Sequence, residues 1–231
     1  MNQKRAGLAW DEFDTYLFDI DGTLIHCADA VHYFAFCEVL TAVAERPLNL
    51  DGVTAHGNTD TGIVRDALRR AGIPDAVWRS RLPEICERMC IQVERNEGSL
   101  RVECLPGVKE LLRSLRGRGA HLGVATGNLE RIGKRKLAAA GILDLIDFGG
   151  WSDSLEYRAD VFARAKRLAV DAAGPSARIL VVGDTPADVQ AAKANQLPVI
   201  AVASGVYSLE QLRSEDADLC IQSLEELLAV S

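Results

Sequence analysis

The chain predicts an α/β fold: a doubly wound parallel sheet of Rossmann-like type, with an α-helical domain inserted near its start. Three observations carry this expectation. Continuous apolar runs such as Ile179-Leu180-Val181-Val182 read as strands covered on both faces, as in a parallel sheet. From about Pro106 onward such runs alternate with helical periodicity, the pattern of right-handed strand–helix–strand crossovers. Between Leu24 and about Leu105 the alternation stops and only helical patterns remain.

Taken in order, Tyr16-Leu17-Phe18 is the first strand and ends at Asp19. Helical patterns then cover residues 29–44, 60–71 and 74–94, with no convincing strand among them. Roughly eighty residues is far longer than a strand-to-helix loop, so this stretch reads as an inserted helical domain. Leu122-Gly123-Val124-Ala125 is the next clear strand, followed by a helix over 129–140 that closes at Gly141, a residue suited to a C-terminal cap. A helix over 159–172 leads to the strand at 179–182, and a helix over 186–194 to a strand at 198–202. Residues 218–221 form a candidate edge strand. The predicted division is a core of residues 1–25 and 105–231, and an insertion of residues 26–104.

Composition narrows the function classes. A net charge of −7 argues against a general binder of nucleic acid or membrane surface, which would carry a basic patch. The 48% hydrophobic content supplies a real core, yet no run of about 18 apolar residues spans a bilayer and residues 1–14 lack an apolar signal region. The six cysteines contain no Cys-x-x-Cys pair, and Cys86 and Cys90 lack the partners a zinc site needs. Free thiols in a reducing compartment and a cytoplasmic location follow.

The chemistry concentrates at strand ends. Asp19-Ile20-Asp21-Gly22-Thr23-Leu24 presents two carboxylates one residue apart at a glycine turn. Two such acids repel each other, and they either hold a divalent cation or divide nucleophile and acid/base roles. Asp184, in Val182-Gly183-Asp184-Thr185-Pro186-Ala187-Asp188, also closes a buried strand, where a carboxylate is costly unless it is paired or binds metal. Asp188 fits either a metal role or the third position of a helix capped by Thr185. Thr126-Gly127-Asn128 offers a hydroxyl and backbone amides at a helix start, which suit phosphate oxygens, although Thr126 and Asn128 also suit a plain turn and cap.

These strings, in this order, resemble the motifs of the haloacid dehalogenase-like hydrolases, and specifically their phosphoglycolate phosphatase-like members with a helical cap after the first motif. The resemblance spans Asp19 to about Leu228. It implies a phosphatase in which Asp19 is the nucleophile and Asp21 the general acid/base. Magnesium would be held by Asp19, Asp21 (through its backbone carbonyl), Asp184 and Asp188. Phosphate would be gripped by Gly22, Thr126, Gly127 and a cation. Many family members carry a lysine, often in Lys-Pro, before the helix that precedes the last catalytic strand, and this chain has no such Lys-Pro. Arg158 matches an arginine variant, with Lys134 and Lys136 as fallback candidates. Within the insertion, His56 and Asn58 are candidate specificity residues, while His26 and His32 sit at its entrance. The implied substrate is a small phosphorylated metabolite. A phosphomutase using the same aspartates and a non-catalytic binding module on the same fold are the alternatives.

Overall fold

A computed structural model of the chain describes residues 8–229; residues 1–7 and 230–231, which the predicted core includes, lie outside them, as does half of the stretch read for a signal region. The strands are β1 (Thr15–Phe18), β2 (Ile25–Cys27), β3 (Val102–Cys104), β4 (His121–Ala125), β5 (Phe148–Gly150), β6 (Ile179–Gly183), β7 (Val199–Val202) and β8 (Leu219–Ile221). The helices are α1 (Val31–Ala44), α2 (Asp60–Arg70), α3 (Asp75–Trp78), α4 (Leu82–Arg95), α5 (Val108–Gly117), α6 (Glu130–Ala139), α7 (Arg158–Ala173), α8 (Pro186–Ala194), α9 (Leu209–Ser214) and α10 (Glu225–Leu228).

Six strands form one sheet in the order β5-β4-β1-β6-β7-β8, and every pairing is parallel. The doubly wound expectation therefore holds. Helices cover both faces. Tyr16, Phe18, Leu122, Val124 and Leu180 point into one apolar layer with α5 and the end of α6. Leu17, Val181 and Val199 point into the other, against Phe162 and Ala165 of α7. This is the period-two alternation of a strand buried on both sides. β1 lies at the centre, between β4 and β6, so the residues following all three strands converge at one sheet end. That end carries Asp19, Thr126 and Asp184.

Residues 31–95 form α1 to α4 around a cluster of their own, including Phe36, Leu40, Leu68, Trp78 and Met89. The cluster continues onto Leu129 and Ile132 of the core. Two expectations are corrected here. The helix predicted over 74–94 is broken into α3, a short 3-10 turn at Arg79–Arg81, and α4, which has a proline in its first turn. A proline disfavours helical geometry in the residue before it and fits best at a helix start. The stretch also contains strands after all. β2 and β3, where the chain leaves and re-enters the core, pair antiparallel, with Ile25 opposite Cys104 and Cys27 opposite Val102. Three residues per strand leave too little alternation to read from sequence. β5 also escaped the sequence reading, because Phe148-Gly149-Gly150 has glycines where a strand pattern wants branched residues.

Among the described residues, no helix is long and apolar enough to cross a membrane. All six cysteines are free.

Candidate active site

The floor of the site is built from three strand ends. Asp19, only 6% exposed, follows β1; its backbone N–H donates to the Val182 carbonyl at 2.9 Å, which fixes it against β6. Asp184 follows β6 and Asp188 lies in the first turn of α8, and the carboxylates of Asp19, Asp184 and Asp188 come within 4.8 Å of one another. Gly22 takes the left-handed conformation, φ +85°, in the turn after Asp21. A side chain at Gly22 or at Gly205 would run into the Asp184 carboxylate, so both glycines leave room beside it.

Two cations meet these acids. Arg158, at the start of α7 and 9% exposed, donates from Nη2 to Asp19 at 2.9 Å and from Nε to Asp188 Oδ1 at 2.9 Å. The other Asp188 oxygen accepts from the Thr185 backbone N–H at 3.0 Å and its hydroxyl at 2.7 Å, completing a capping box. Asp188 thus caps α8 and anchors Arg158 at once. Lys136, on α6, donates to both Asp21 oxygens at 2.9 and 2.8 Å and to Asn128 Oδ1 at 2.8 Å. The Asn128 amide in turn donates to Asp21 at 2.8 Å and to Thr126 Oγ1 at 2.8 Å. Lys134 points away and pairs with Glu130 at 2.7 Å on the surface.

Asp184 has a different environment. It is 3% exposed and accepts from the Thr23 hydroxyl at 3.0 Å, with no lysine or arginine paired to it among the described residues. Burial, together with the neighbouring Asp19 and Asp188 charges, pushes its carboxyl up to about 8. Burial also raises Asp19, to about 6, against the opposing pull of Arg158. Asp21 moves the other way. Burial would raise it, but the Lys136 ammonium and the Asn128 amide hold it well below the usual carboxylate range. A buried set of acids with one unpaired member fits a divalent cation, with oxygen ligands from Asp19 and Asp184.

Above this floor lies a cavity of about 530 Å³, walled on one side by the core and on the other by the insertion. Gly22, Thr126, Gly127, His56 and Asn58 all line it. The insertion is seated directly on the core: the Asp60 N–H donates to the Gly127 carbonyl at 2.7 Å, the Leu129 N–H to Asp60 Oδ2 at 2.8 Å, and the Thr61 hydroxyl to the Leu155 carbonyl at 2.6 Å. The Asn58 amide is committed within the insertion, donating to Asp66 of α2 at 3.0 Å and accepting from the Thr59 N–H at 2.8 Å. His26 and His32 line the cavity as well.

Sequence reasoning missed the Asp21–Lys136–Asn128 network, the Thr23 donor to Asp184, and Ser204, whose hydroxyl donates to the Gly22 carbonyl at 2.7 Å. One signal was present for Lys136. It stands four residues after the buried Ile132, on the inward face of α6.

The raised acids link stability to pH. A carboxyl raised on folding favours the native state below the ordinary carboxylate range, and that contribution is lost as pH rises through the folded values, here about 6 and about 8. Metal-free protein should therefore lose thermal stability from these two groups as pH rises from about 5 to about 8. Adding a divalent cation should raise the melting temperature more at pH 8 than at pH 5. Equal cation-induced shifts at both pH values would contradict the electrostatic description of Asp19 and Asp184.

Comparison with known proteins bears on the same site. Residues 13–195 match the sequence profile of the haloacid dehalogenase-like hydrolases. A phosphoglycolate phosphatase of Cereibacter sphaeroides (strain ATCC 17029 / ATH 2.4.9) is 30% identical over 180 residues, covering 77% of this chain and 79% of the relative. The fold is shared with CbbY from Rhodobacter sphaeroides, solved in complex with phosphate (TM-score 0.70, 20% identity, 93% of this chain and 96% of that one). It is also shared with a predicted phosphoglycolate phosphatase from Haemophilus somnus 129PT (TM-score 0.66, 20% identity, 94% and 97%). The matched region contains both aspartates of the first motif, Thr126, Arg158, Asp184 and Asp188, and the chain is a phosphatase-type enzyme belonging to the haloacid dehalogenase-like hydrolases.

Proposed function

We propose that the protein is a magnesium-dependent phosphomonoesterase that works through an aspartyl-phosphate on Asp19. The observation that carries this reading is the Asp19 carboxylate itself. It is buried at the cavity floor, held by Arg158 at 2.9 Å and clustered with Asp184.

Asp19 attacks the phosphorus of a bound monoester in line, the bond to the leaving alkoxide breaks, and the alkoxide takes a proton from Asp21. Water then attacks the phosphorus of the aspartyl-phosphate while Asp21 accepts its proton, and phosphate leaves with Asp19 regenerated. Lys136 and Asn128 hold Asp21 ionised, the form this second half needs. The first half needs it protonated. An incoming phosphate dianion competes for the Lys136 ammonium and adds negative charge nearby, and both effects raise the Asp21 carboxyl. Arg158, Thr126 and the backbone amides around Gly22 and Gly127 steady the charge that spreads over the phosphoryl oxygens. Magnesium, held by Asp19, the Asp21 carbonyl and Asp184 with Asp188 behind them, supplies positive charge to nucleophile and phosphoryl group when bound.

The insertion, residues 26–104, acts as a lid hinged at the β2–β3 ribbon, where both crossings lie side by side. His56 stands on its cavity wall and contributes to substrate choice. A mutase would transfer the phosphoryl group to a sugar hydroxyl, and a binding module would transfer it to nothing. Release of inorganic phosphate from a generic ester in the presence of magnesium marks the hydrolase, and transfer to an added sugar in place of release marks the mutase.

Asp19→Asn keeps the side-chain size but removes the nucleophile. It should fall below about a hundredth of wild-type kcat with the fold retained, as judged by circular dichroism. Arg158→Ala should lower kcat/KM about a hundredfold or more, since it removes a charged donor from the phosphoryl group. Lys134→Ala should stay within about twofold, as befits an exposed surface pair. The opposite ranking in steady-state assays would move the phosphate-binding cation away from Arg158.

A further inference from the structure

The wall that the insertion contributes has a definite chemistry. Two side chains of permanent positive charge line the cavity, Lys136 and Arg158. Both come from the core and both are engaged on the catalytic carboxylates, Lys136 at 2.8 Å from Asp21 and Arg158 at 2.9 Å from Asp19. Among the described residues, no lysine or arginine of the insertion lines the cavity. Arg65, on α2, is turned instead to Asp66 at 2.8 Å and stacks on the Tyr157 ring. The charged group that the insertion does place there is a carboxylate. Asp60 lies with Oδ2 3.3 Å from His32 Nε2.

Beside Asp60 the insertion also sets His26, His32, His56 and Asn58 on the cavity, and the remainder of its wall is apolar and partly aromatic. Tyr33, Phe36, Leu50 and Ile63 come from the insertion, with Ile25 at its hinge and Val206 facing them from the core. The His32 ring stacks on Phe36, centroids 4.8 Å apart, and presents a flat face rather than a fixed charge. Tyr33 and Val206 are 41% and 59% exposed, so this apolar surface reaches the cavity mouth. The cavity, about 530 Å³, falls among sites that take ligands far larger than a two-carbon acid.

A carboxylate on the leaving alcohol is held most firmly by a lysine, or by an arginine in bidentate geometry, and the insertion sets neither on this cavity. Such a carboxylate would also have to tolerate Asp60 beside it. We propose that this cavity takes phosphate monoesters whose leaving alcohol is uncharged and carries an aromatic or extended apolar face, not carboxylated alcohols such as glycolate. The proposal deepens the phosphomonoesterase reading and rests on it for turnover, though not for binding.

The test compares benzyl phosphate, 4-carboxybenzyl phosphate and 2-phosphoglycolate. The first two share size and differ in charge. Turnover is measured on the magnesium-loaded wild type, and equilibrium binding by calorimetry on magnesium-loaded Asp21→Asn, which removes the general acid/base and keeps every carboxylate assigned to the ion. Benzyl phosphate should exceed both carboxylated esters by about tenfold or more in kcat/KM and in affinity, the scale on which such pockets discriminate. Tyr33→Arg, a substitution on an exposed helical turn, should move the ratio toward the carboxylated esters by about tenfold. Equal or better binding of 4-carboxybenzyl phosphate or 2-phosphoglycolate to the unmodified wall would overturn the inference. Tighter binding of benzyl phosphate with no turnover of any ester would uphold it and overturn the hydrolase reading instead.

Discussion

Charge balance at the carboxyl ends of β1 and β6 constrains everything else in this structure. Four carboxylates, Asp19, Asp21, Asp184 and Asp188, gather there against two cations, Arg158 and Lys136. Buried ionised groups are tolerated only when they are paired and hydrogen-bonded. Arg158 serves Asp19 and Asp188, and Lys136 serves Asp21. Asp184 is left with a threonine hydroxyl and a raised carboxyl. The imbalance is what a divalent cation offsets.

The two cations divide the aspartates by role. The Arg158 bridge to Asp19 lies inside the cluster and is shared with Asp188. The Lys136 bridge to Asp21 lies to one side and reaches Thr126 through Asn128. Asp21 is therefore connected to the Thr126 hydroxyl by a continuous hydrogen-bonded path. The sheet supplies this separation without special loops. β1 lies between β4 and β6, so Asp19, Thr126 and Asp184 end side by side in a common layer. The insertion meets that layer through Asp60, whose backbone N–H and carboxylate both bond the Gly127–Leu129 turn.

Much of this was legible in the sequence, for physical reasons that vary by residue. Asp19, Asp21 and Asp184 stood out because each closes an apolar strand, where an acid needs a reason to exist. The strands at 179–182 and 122–125 were readable because both of their faces are buried, which makes the run continuous. Arg158 could be placed at the start of α7 by position, but its shared grip on Asp19 and Asp188 depends on α8 packing beside α7, a long-range fact. Lys136 shows the limit more sharply. Its neighbours read as an ordinary amphipathic helix, and its target lies 115 residues earlier in the chain. The β2–β3 ribbon was hidden by its length, and the break between α3 and α4 by an apolar rhythm that runs through it. The same rhythm concealed the character of the insertion's inner wall, because which side of α1 faces the cavity is decided only once α1 packs on α2 and α4.

In the reading proposed above, electrostatically unbalanced Asp184 and Asp19 create the cation site. Calorimetric titration of magnesium at pH 7 in two buffers of different ionisation enthalpy measures the protons released on binding. The account predicts net release of about one proton per ion, as expected when raised carboxyls must ionise to become ligands, with both the release and the affinity lost in Asp184→Asn. Binding without proton release, or unchanged affinity in Asp184→Asn, would contradict it.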